Sequence, residues 1–326
     1  MIKTFISTAV IIVSTAIFTF AQMQTPTPTP QPAPTPVNLE TILTEAEEQT
    51  ANYRETFRDL LATETKTFER YDKKGELKER TVIESNFLVY QSSKDGSSAS
   101  ELRNIIKKDD KLVPDSQARA DRFLAELAKT TTLEKELERI QQEGSRYDKT
   151  LEISGFTLYE GIALSSNLRS VFDFKLLGSE NYQGNEVYVL SYQQTKKTPL
   201  ITVNEKASNN KDIRAEFDAD IPSALKNNDI FLSGKLWIDK QTFQIWREER
   251  RLIVQTPIPL VALETILEYN QSEFGILVPK KITFVENGIK KNSKGDQYTT
   301  VKNSSVNFDY SKFKKTNVEV QIIDEP

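Results

Sequence analysis

The chain of 326 residues contains neither cysteine nor histidine. Without cysteine it has no disulfide, no thiolate nucleophile and no cysteine that could carry a lipid anchor. Without histidine it lacks the usual general base near neutral pH and the commonest transition-metal ligand. Ser-His-Asp and Cys-His catalysis are therefore excluded, and acid-base chemistry would have to use Asp, Glu, Lys, Tyr or Arg. We expect no metal site and no cofactor.

An excess of positive charge is also missing. The sequence has 43 Lys plus Arg against 47 Asp plus Glu, which gives a net charge of −4. With 37% hydrophobic and 28% charged residues, the composition is that of an ordinary globular protein. Since a nucleic-acid-binding surface needs a broad basic patch, we predict no nucleic-acid partner.

The N-terminus has the pattern of a secretory signal peptide over residues 1–21. Lys3 supplies the positive start, residues 5–20 are mainly apolar, and Thr19 and Ala21 place small residues before a cleavage site. An uncleaved anchor is the alternative, but a membrane-spanning helix needs about 20 apolar residues. We therefore predict a periplasmic or secreted protein with no transmembrane span after cleavage.

Residues 22–37 are rich in proline and threonine, with proline at every second position from 26 to 36. Proline fixes φ and removes the backbone N–H donor, so this stretch cannot join a helix or a sheet. It is predicted to be a disordered, extended tether. The remaining residues, 38–326, are predicted to form a single domain.

Two helical stretches are predicted in that domain. Apolar residues recur at three- and four-residue spacing from 39 to about 62, after Asn38 as the N-cap. A second stretch covers 114–147, with a break at 130–132, and its apolar side includes Leu124 and Leu127. Between the two stretches, the sequence predicts a hairpin with arms at 63–71 and 77–90 and a turn at 72–75.

Strands and turns dominate after residue 155. Strands are predicted at 171–177, 186–193, 230–239, 243–254, 263–271, 276–286 and 299–310. Several alternate between polar and apolar residues, which is typical of a sheet with one solvated face. Long sequential hairpins curl because strands twist. The predicted fold is therefore α+β: a strongly curved antiparallel β-sheet, an open half-barrel, lidded by amphipathic helices.

Several patches of this sequence resemble a family of secreted, acidobacterial-type bacterial proteins of unassigned function. They are the opening hairpin at 60–89, a Gly-x-Leu-Trp-Ile-Asp-x-x-Thr motif at 234–242, and Phe-Gly-Ile-Leu-Val-Pro at 274–279. The motif at 234–242 is also distantly similar to periplasmic outer-membrane lipoprotein-sorting carriers. That resemblance implies a half-barrel whose helices cover an apolar cavity.

The leading hypothesis is an exported, non-catalytic binding or carrier-like module of the cell envelope. Its ligand would be apolar, either a lipid or a lipidated protein. From their positions on the helical stripe or on strands, the residues expected to line the cavity are Leu124, Leu127, Trp237, Trp246 and Phe284. The strand aromatics could equally fill an ordinary core.

Two other functions stay open. The domain could be an envelope protein-protein interaction module with a filled core and partners on its rim. It could also be a carboxylate-based envelope hydrolase that uses Glu248 and Glu249 or a similar pair. Neighbouring strand residues point to opposite faces, which argues against such a pair and against an enzyme. The charge run at 247–251 is interpreted as a solvated face with cross-strand ion pairs.

Overall fold

The computed structural model describes residues 38–57, 60–91, 99–127, 134–148, 161–204, 215–292, 294–295 and 297–315. The predicted signal peptide and tether lie outside the described residues and stay predictions. No helix in the described part of the chain is long and apolar enough to cross a membrane.

The described residues form three α-helices, thirteen strands and three short 3₁₀-helices. The helices are α1 (Leu39–Thr56), α2 (Ser116–Leu127) and α3 (Glu134–Ser145). The strands are β1 (Leu60–Tyr71), β2 (Leu77–Gln91), β3 (Ala99–Lys108), β4 (Lys111–Leu112), β5 (Phe172–Tyr182), β6 (Asn185–Gln194), β7 (Ile201–Val203), β8 (Ala215–Phe217), β9 (Ile230–Asp239), β10 (Ile245–Val254), β11 (Leu260–Gln271), β12 (Leu277–Lys291) and β13 (Tyr298–Lys315).

Eleven of these strands form one sheet, in the order β4-β3-β2-β1-β13-β12-β11-β10-β9-β6-β5. Every neighbouring pair in it is antiparallel. The sheet is not closed, because β4 and β5 remain as its two edges. The predicted α+β class, built on an open antiparallel sheet with helices, is confirmed.

The predicted first hairpin is confirmed. β1 pairs with β2 along its length. In the turn between them, the Asp72 carboxylate accepts hydrogen bonds from the backbone N–H groups of Lys74 and Glu76. Gly75 has φ +83°, a left-handed conformation that glycine adopts without steric cost. The turn chemistry in the sequence was therefore sufficient to locate this hairpin.

The first helix is shorter than predicted. The Asn38 side chain caps it by accepting a hydrogen bond from Thr41 N at 2.8 Å, but α1 ends at Thr56 and not near residue 62. Leu60 continues the helical spacing, yet it lies in β1 opposite Val89 of β2. Cross-strand pairing overrides the local helical pattern here.

The second helical stretch divides as predicted into α2 and α3, and the residues between them, 128–133, are not among those described. β3 was not predicted. It was missed because its apolar residues Leu102 and Ile105 are three apart and do not alternate, although both are buried at 0% and 4% exposure.

One face of the sheet, which we call the covered face, carries Leu236, Glu248 and Ile282 and lies under the helices. Leu236 pairs with Glu248 across β9 and β10, and the same face continues through Leu267 to Ile282. Near α1, a Cβ on Gly161 would come within 2.4 Å of Ile245 Cδ1 and 3.1 Å of Thr50 Oγ1. The segment around Gly161 therefore packs closely between α1 and β10.

The helix α3 lies on the same face at the other end of the sheet. A Cβ on Gly144 would lie 2.9 Å from both the Cβ and the carbonyl oxygen of Arg103 in β3. The apolar core extends from α1 across the covered face to β6. A smaller cluster of Ile83, Ile105 and Val113 lies at the β3 side.

Candidate binding site

Of the predicted lining residues whose side chains are described, Phe284 and Trp237 lie on opposite faces of the sheet, and a cavity lined by all five residues stays a prediction. Phe284 is 4% exposed and lies on the covered face, opposite Thr265 and Val306. Trp237 pairs with Arg247, and both point to the opposite face of the sheet. Leu124 and Leu127 belong to α2, but their side chains are not among those described.

Trp237 lies beneath charged side chains on the opposite face. Its Nε1 donates a hydrogen bond to Glu180 Oε1 at 2.7 Å, and the Arg247 guanidinium lies 5.1 Å from its ring centroid. It is 8% exposed, as is Trp246. Trp246 occupies the irregularity in β10 between the paired residues Ile245 and Arg247, and it belongs to the main apolar core.

The charge run at 247–251 divides between the two faces. Arg247, Glu249 and Arg251 form cross-strand and neighbouring ion pairs on the opposite face, as predicted. Glu248 and Arg250 instead point to the covered face and are 0% and 5% exposed. The interpretation of the whole run as a solvated face was therefore wrong for these two residues, because strand alternation sends them under the helices.

Glu248 is the centre of a buried polar group near α1. Arg250 donates to both of its carboxylate oxygens at 3.0 and 2.9 Å, and Tyr192 Oη donates at 2.8 Å. The backbone N–H of Gly161 donates at 2.9 Å. Burial, and then the Glu248 charge, raise the pKa of Tyr192 well above its ordinary value. The phenol therefore stays a donor, and Glu248 is fully occupied as an acceptor.

The glycine of the 234–242 motif makes room for this arrangement. A Cβ on Gly234 would lie 2.0 Å from the Glu249 carbonyl oxygen and 2.5 Å from the Tyr192 ring. Only glycine therefore lets Tyr192 cross β9 and reach Glu248. Asp239 of the same motif accepts from the backbone N–H groups of Gln241 and Thr242, both at 2.8 Å, and so closes the β9–β10 turn.

A second buried ionic group lies on the covered face between β1 and β3. Arg103 donates to both oxygens of Glu64, at 2.8 Å from Nε and 2.8 Å from Nη2. Its Nη2 also donates to Glu101 at 2.9 Å. The Arg103 guanidinium lies 4.9 Å from the centroid of the Phe87 ring. Arg103 is thus held by two carboxylates and an aromatic face.

Lys66 joins this group to the segment after α3. Its Nζ lies 2.7 Å from Asp148 Oδ2, and the side chains are 2% and 5% exposed. Burial raises the pKa of Asp148, and the Lys66 charge works against that rise. Burial also works to raise the pKa of Glu64, but Arg103 and Lys66 outweigh it and lower the pKa.

A cavity of about 290 Å³ opens beside Arg103, between β3, α2 and α3. It lies on the covered face, because Arg103 shares that face with Glu64. Its lining is mostly arginine. The lining residues are Arg103, Asn104, Ile105, Arg119, Arg122, Arg139, Ile140, Glu143 and Arg146.

Among the described residues, three of the five arginines that line the cavity have no carboxylate partner. Arg119 donates to the carbonyl oxygens of Pro114 and Ile105, and Arg122 donates to that of Ala118. The Arg146 guanidinium lies 4.7 Å from the Tyr147 ring centroid. These contacts orient the side chains but leave their charges in place. This arrangement can therefore bind an anion, and the one carboxylate among the described lining residues, Glu143, is paired with Arg139.

These arginines were not predicted as a site. One signal was available, since Arg119 and Arg122 are three apart on α2, whereas Arg146 lies in the turn after α3. The spacing on α2 places two side chains on one face of the helix. Sequence patterns within each helix do not show that α2 and α3 meet beside β3.

No protein-family model and no curated protein sequence matches the chain. Solved structures with a similar strand arrangement exist. A domain assigned to outer membrane lipoprotein sorting, from Vibrio parahaemolyticus, is 12% identical with a TM-score of 0.37, over 86% of this chain and 94% of that one. A DUF1329 family protein from Desulfovibrio piger is 12% identical with a TM-score of 0.35, over 85% and 93%.

A LolA superfamily protein from Nitrosomonas europaea is 10% identical with a TM-score of 0.32, over 89% of this chain and 96% of that one. The distant similarity to lipoprotein-sorting carriers thus has counterparts among solved structures. At these scores the likeness concerns strand arrangement and carries no function across. The resemblance to a secreted acidobacterial-type family stays a prediction.

Proposed function

We propose that the chain is a non-catalytic binding module of the cell envelope that holds an apolar or amphiphilic ligand on its covered face. The observation that carries this proposal is the cavity of about 290 Å³ between β3, α2 and α3. Ligand sites in proteins are concave and usually lie between structural elements. This cavity lies under two helices at the side of the sheet remote from α1.

The attachment of α3 to the sheet supports the proposal. In the described residues, α3 meets β3 at Gly144, and the segment after it is tied down through Lys66 and Asp148. Among the residues whose side chains are described, the apolar cluster beneath it has Ile83, Ile105 and Val113 as its buried members. A small apolar contact makes local opening inexpensive. A ligand could therefore enter by displacing α2 and α3 while the main core stays intact.

A protein-protein interaction module with a filled core is the second candidate. One observation favours it: on the central strands, Val306, Phe308 and Phe284 are only 1%, 2% and 4% exposed. A face packed to this degree needs no ligand. The two candidates differ in whether the purified chain binds an apolar molecule at all.

The test is a titration of the full chain with Nile red, an uncharged apolar dye, together with native mass spectrometry of protein purified from its own envelope. The proposal expects saturable dye binding and a co-purified lipid or acylated peptide. Absence of both would reject it and leave the interaction module.

Two variants on opposite sides of the sheet locate the binding. Ile140→Ala is expected to weaken dye binding about tenfold, because Ile140 is an apolar residue that lines the cavity, whereas Trp237→Ala should leave the dye Kd unchanged. An equal effect of both would support the sequence-based prediction that Trp237 also contacts the ligand. Thermal melting of each variant checks that binding is measured on folded protein.

A further inference from the structure

We infer that the arginine-lined cavity between β3, α2 and α3 binds a phosphate-type oxyanion. This inference deepens the proposed function and rests on it for the ligand's apolar part, but the anion site stands on its own residues. The shared chemistry is a phosphate group with several acceptor oxygens. It could belong to a free phosphate compound or to a lipid head group.

The basic residues that line the cavity are all arginine. Five of the 14 arginines in the sequence line this cavity, and none of the 29 lysines is among its lining residues. A general solvated basic patch would draw on both residue types. Arginine presents a planar fork of donors that matches the oxygens of a phosphate in pairs, whereas lysine is a point charge.

Positive charge exceeds negative charge among the residues that line the cavity. Among the lining residues, five arginines face one carboxylate, Glu143, which pairs with Arg139 at 2.7 Å. Arg103 is matched by Glu64 and Glu101. Among the described residues, Arg119, Arg122 and Arg146 form no ion pair with a carboxylate. Three positive charges thus converge on the cavity, and an anion would compensate them.

The arginines reach the cavity from separate parts of the fold. Arg103 is 8% exposed and fixed by two carboxylates at the floor of the cavity. Arg122 is exposed on α2, and Arg146 is exposed in the turn that follows α3. An anion placed between them would join α2, α3 and β3. With a volume near the lower end of the roughly 300–1,000 Å³ range of ligand pockets, the cavity suits a head group and not a whole lipid.

Three probes test the inference on the full chain: inorganic phosphate by calorimetry, and vesicles of pure phosphatidylcholine or of phosphatidylcholine with phosphatidylglycerol by co-sedimentation. Arg122→Gln and Arg146→Gln are expected to weaken anion binding at least tenfold each. The matched control is Arg80→Gln, which removes an exposed arginine from β2 whose nearest carboxylate oxygen lies 4.0 Å away. This control should leave anion binding unchanged. All three variants should melt at the same temperature as the unaltered chain.

Each outcome decides a point. Saturable phosphate binding that needs Arg122 and Arg146 supports a soluble phosphate compound, and binding only to phosphatidylglycerol vesicles with the same dependence supports a lipid head group. Binding that does not depend on Arg122 and Arg146, an equal loss in Arg80→Gln, or no binding to any probe overturns the inference. Nile red binding would persist in that case, so the anion site can fail while the proposed apolar binding stands.

Discussion

The two ends of the covered face are built on different principles. Beneath α1, the strands β9, β10 and β11 contribute to a continuous apolar core, and the charges there are closed into one group around Glu248. Beneath α2 and α3, the described residues form a small buried apolar cluster, and arginine exceeds carboxylate among the residues that line the cavity. We call these regions the α1 end and the β3 end.

The difference shows how one sheet can separate stability from binding. Burial of apolar surface contributes most to the free energy of unfolding, so the α1 end is expected to determine global stability. A site that must admit a ligand is drawn from the less stable part of a fold. Within the described part of the chain, the β3 end has the cavity, the arginines without a carboxylate partner and the smaller core.

Truncation of a core side chain at the α1 end is expected to lower the free energy of unfolding most. Phe57 is 0% exposed, and its ring stacks on Tyr53 with centroids 5.0 Å apart. Phe57→Ala should lower the free energy of unfolding by about 3–5 kcal/mol. Val113→Ala, at the β3 end, should cost only about 1.5 kcal/mol for two lost methylene equivalents. Urea denaturation measures both, and equal losses would contradict the division of roles.

The buried ion pair at the α1 end should be nearly as costly to break. Arg250→Met leaves Glu248 buried without its cation and is expected to cost about 3–5 kcal/mol. Adding Glu248→Gln removes that charge yet keeps an acceptor for Tyr192 and Gly161, so the double variant should regain part of the loss. No recovery in chemical denaturation would mean that the Arg250 side chain stabilises mainly by packing.

A smaller effect is expected from Glu64 at the β3 end, because Glu101 still pairs with Arg103 in Glu64→Gln. Among charged groups, Glu64 is faced by Lys66, Arg103, Glu101 and Asp148. Its pKa in the folded chain lies below the ordinary 4.5. Its contribution is therefore complete above pH 4.5 and is lost as the pH falls through the folded pKa.

Glu64→Gln should accordingly show a shallower loss of stability on acidification below pH 4.5 than the unaltered chain. The pKa of Asp148 is instead raised above 3.8, so its contribution is lost as the pH rises through the folded pKa. Asp148→Asn should make the loss on acidification steeper. Thermal melting across pH 3–7 compares the three chains, and parallel curves would refute the assignment.

The smallest effect is expected where α3 meets β3. Gly144→Ala gains about 1 kcal/mol in helix propensity, but its Cβ would clash with the backbone of Arg103 at 2.9 Å, at a cost of about 1–3 kcal/mol. The expected net loss is about 1 kcal/mol, with weaker anion binding. In the control Gly288→Ala, the new Cβ would meet nothing closer than 3.8 Å, so anion binding should be unchanged.

Local sequence signals located most of the elements and few of the site residues. The hairpin turn at Asp72 and the strand β9, predicted at 230–239, were found because turn chemistry and alternation act within a few residues. The end of α1 was misplaced because Leu60 fits both a helical stripe and a strand. Only its pairing with Val89 decides between them.

What the sequence by itself determined is the α+β class, the order of most elements and the absence of histidine and cysteine chemistry. Tertiary structure decided which residues share a face and which charges meet. Glu248 and Arg250 belong to a run that looks solvated, but in the fold Tyr192 and the backbone of Gly161 reach Glu248, and both charged residues are buried. Arg103, Arg122 and Arg146 come from three separate segments, and local patterns carry no information about such long-range contacts. The cavity therefore depends on the packing of α2 and α3 against β3, which no local pattern predicts.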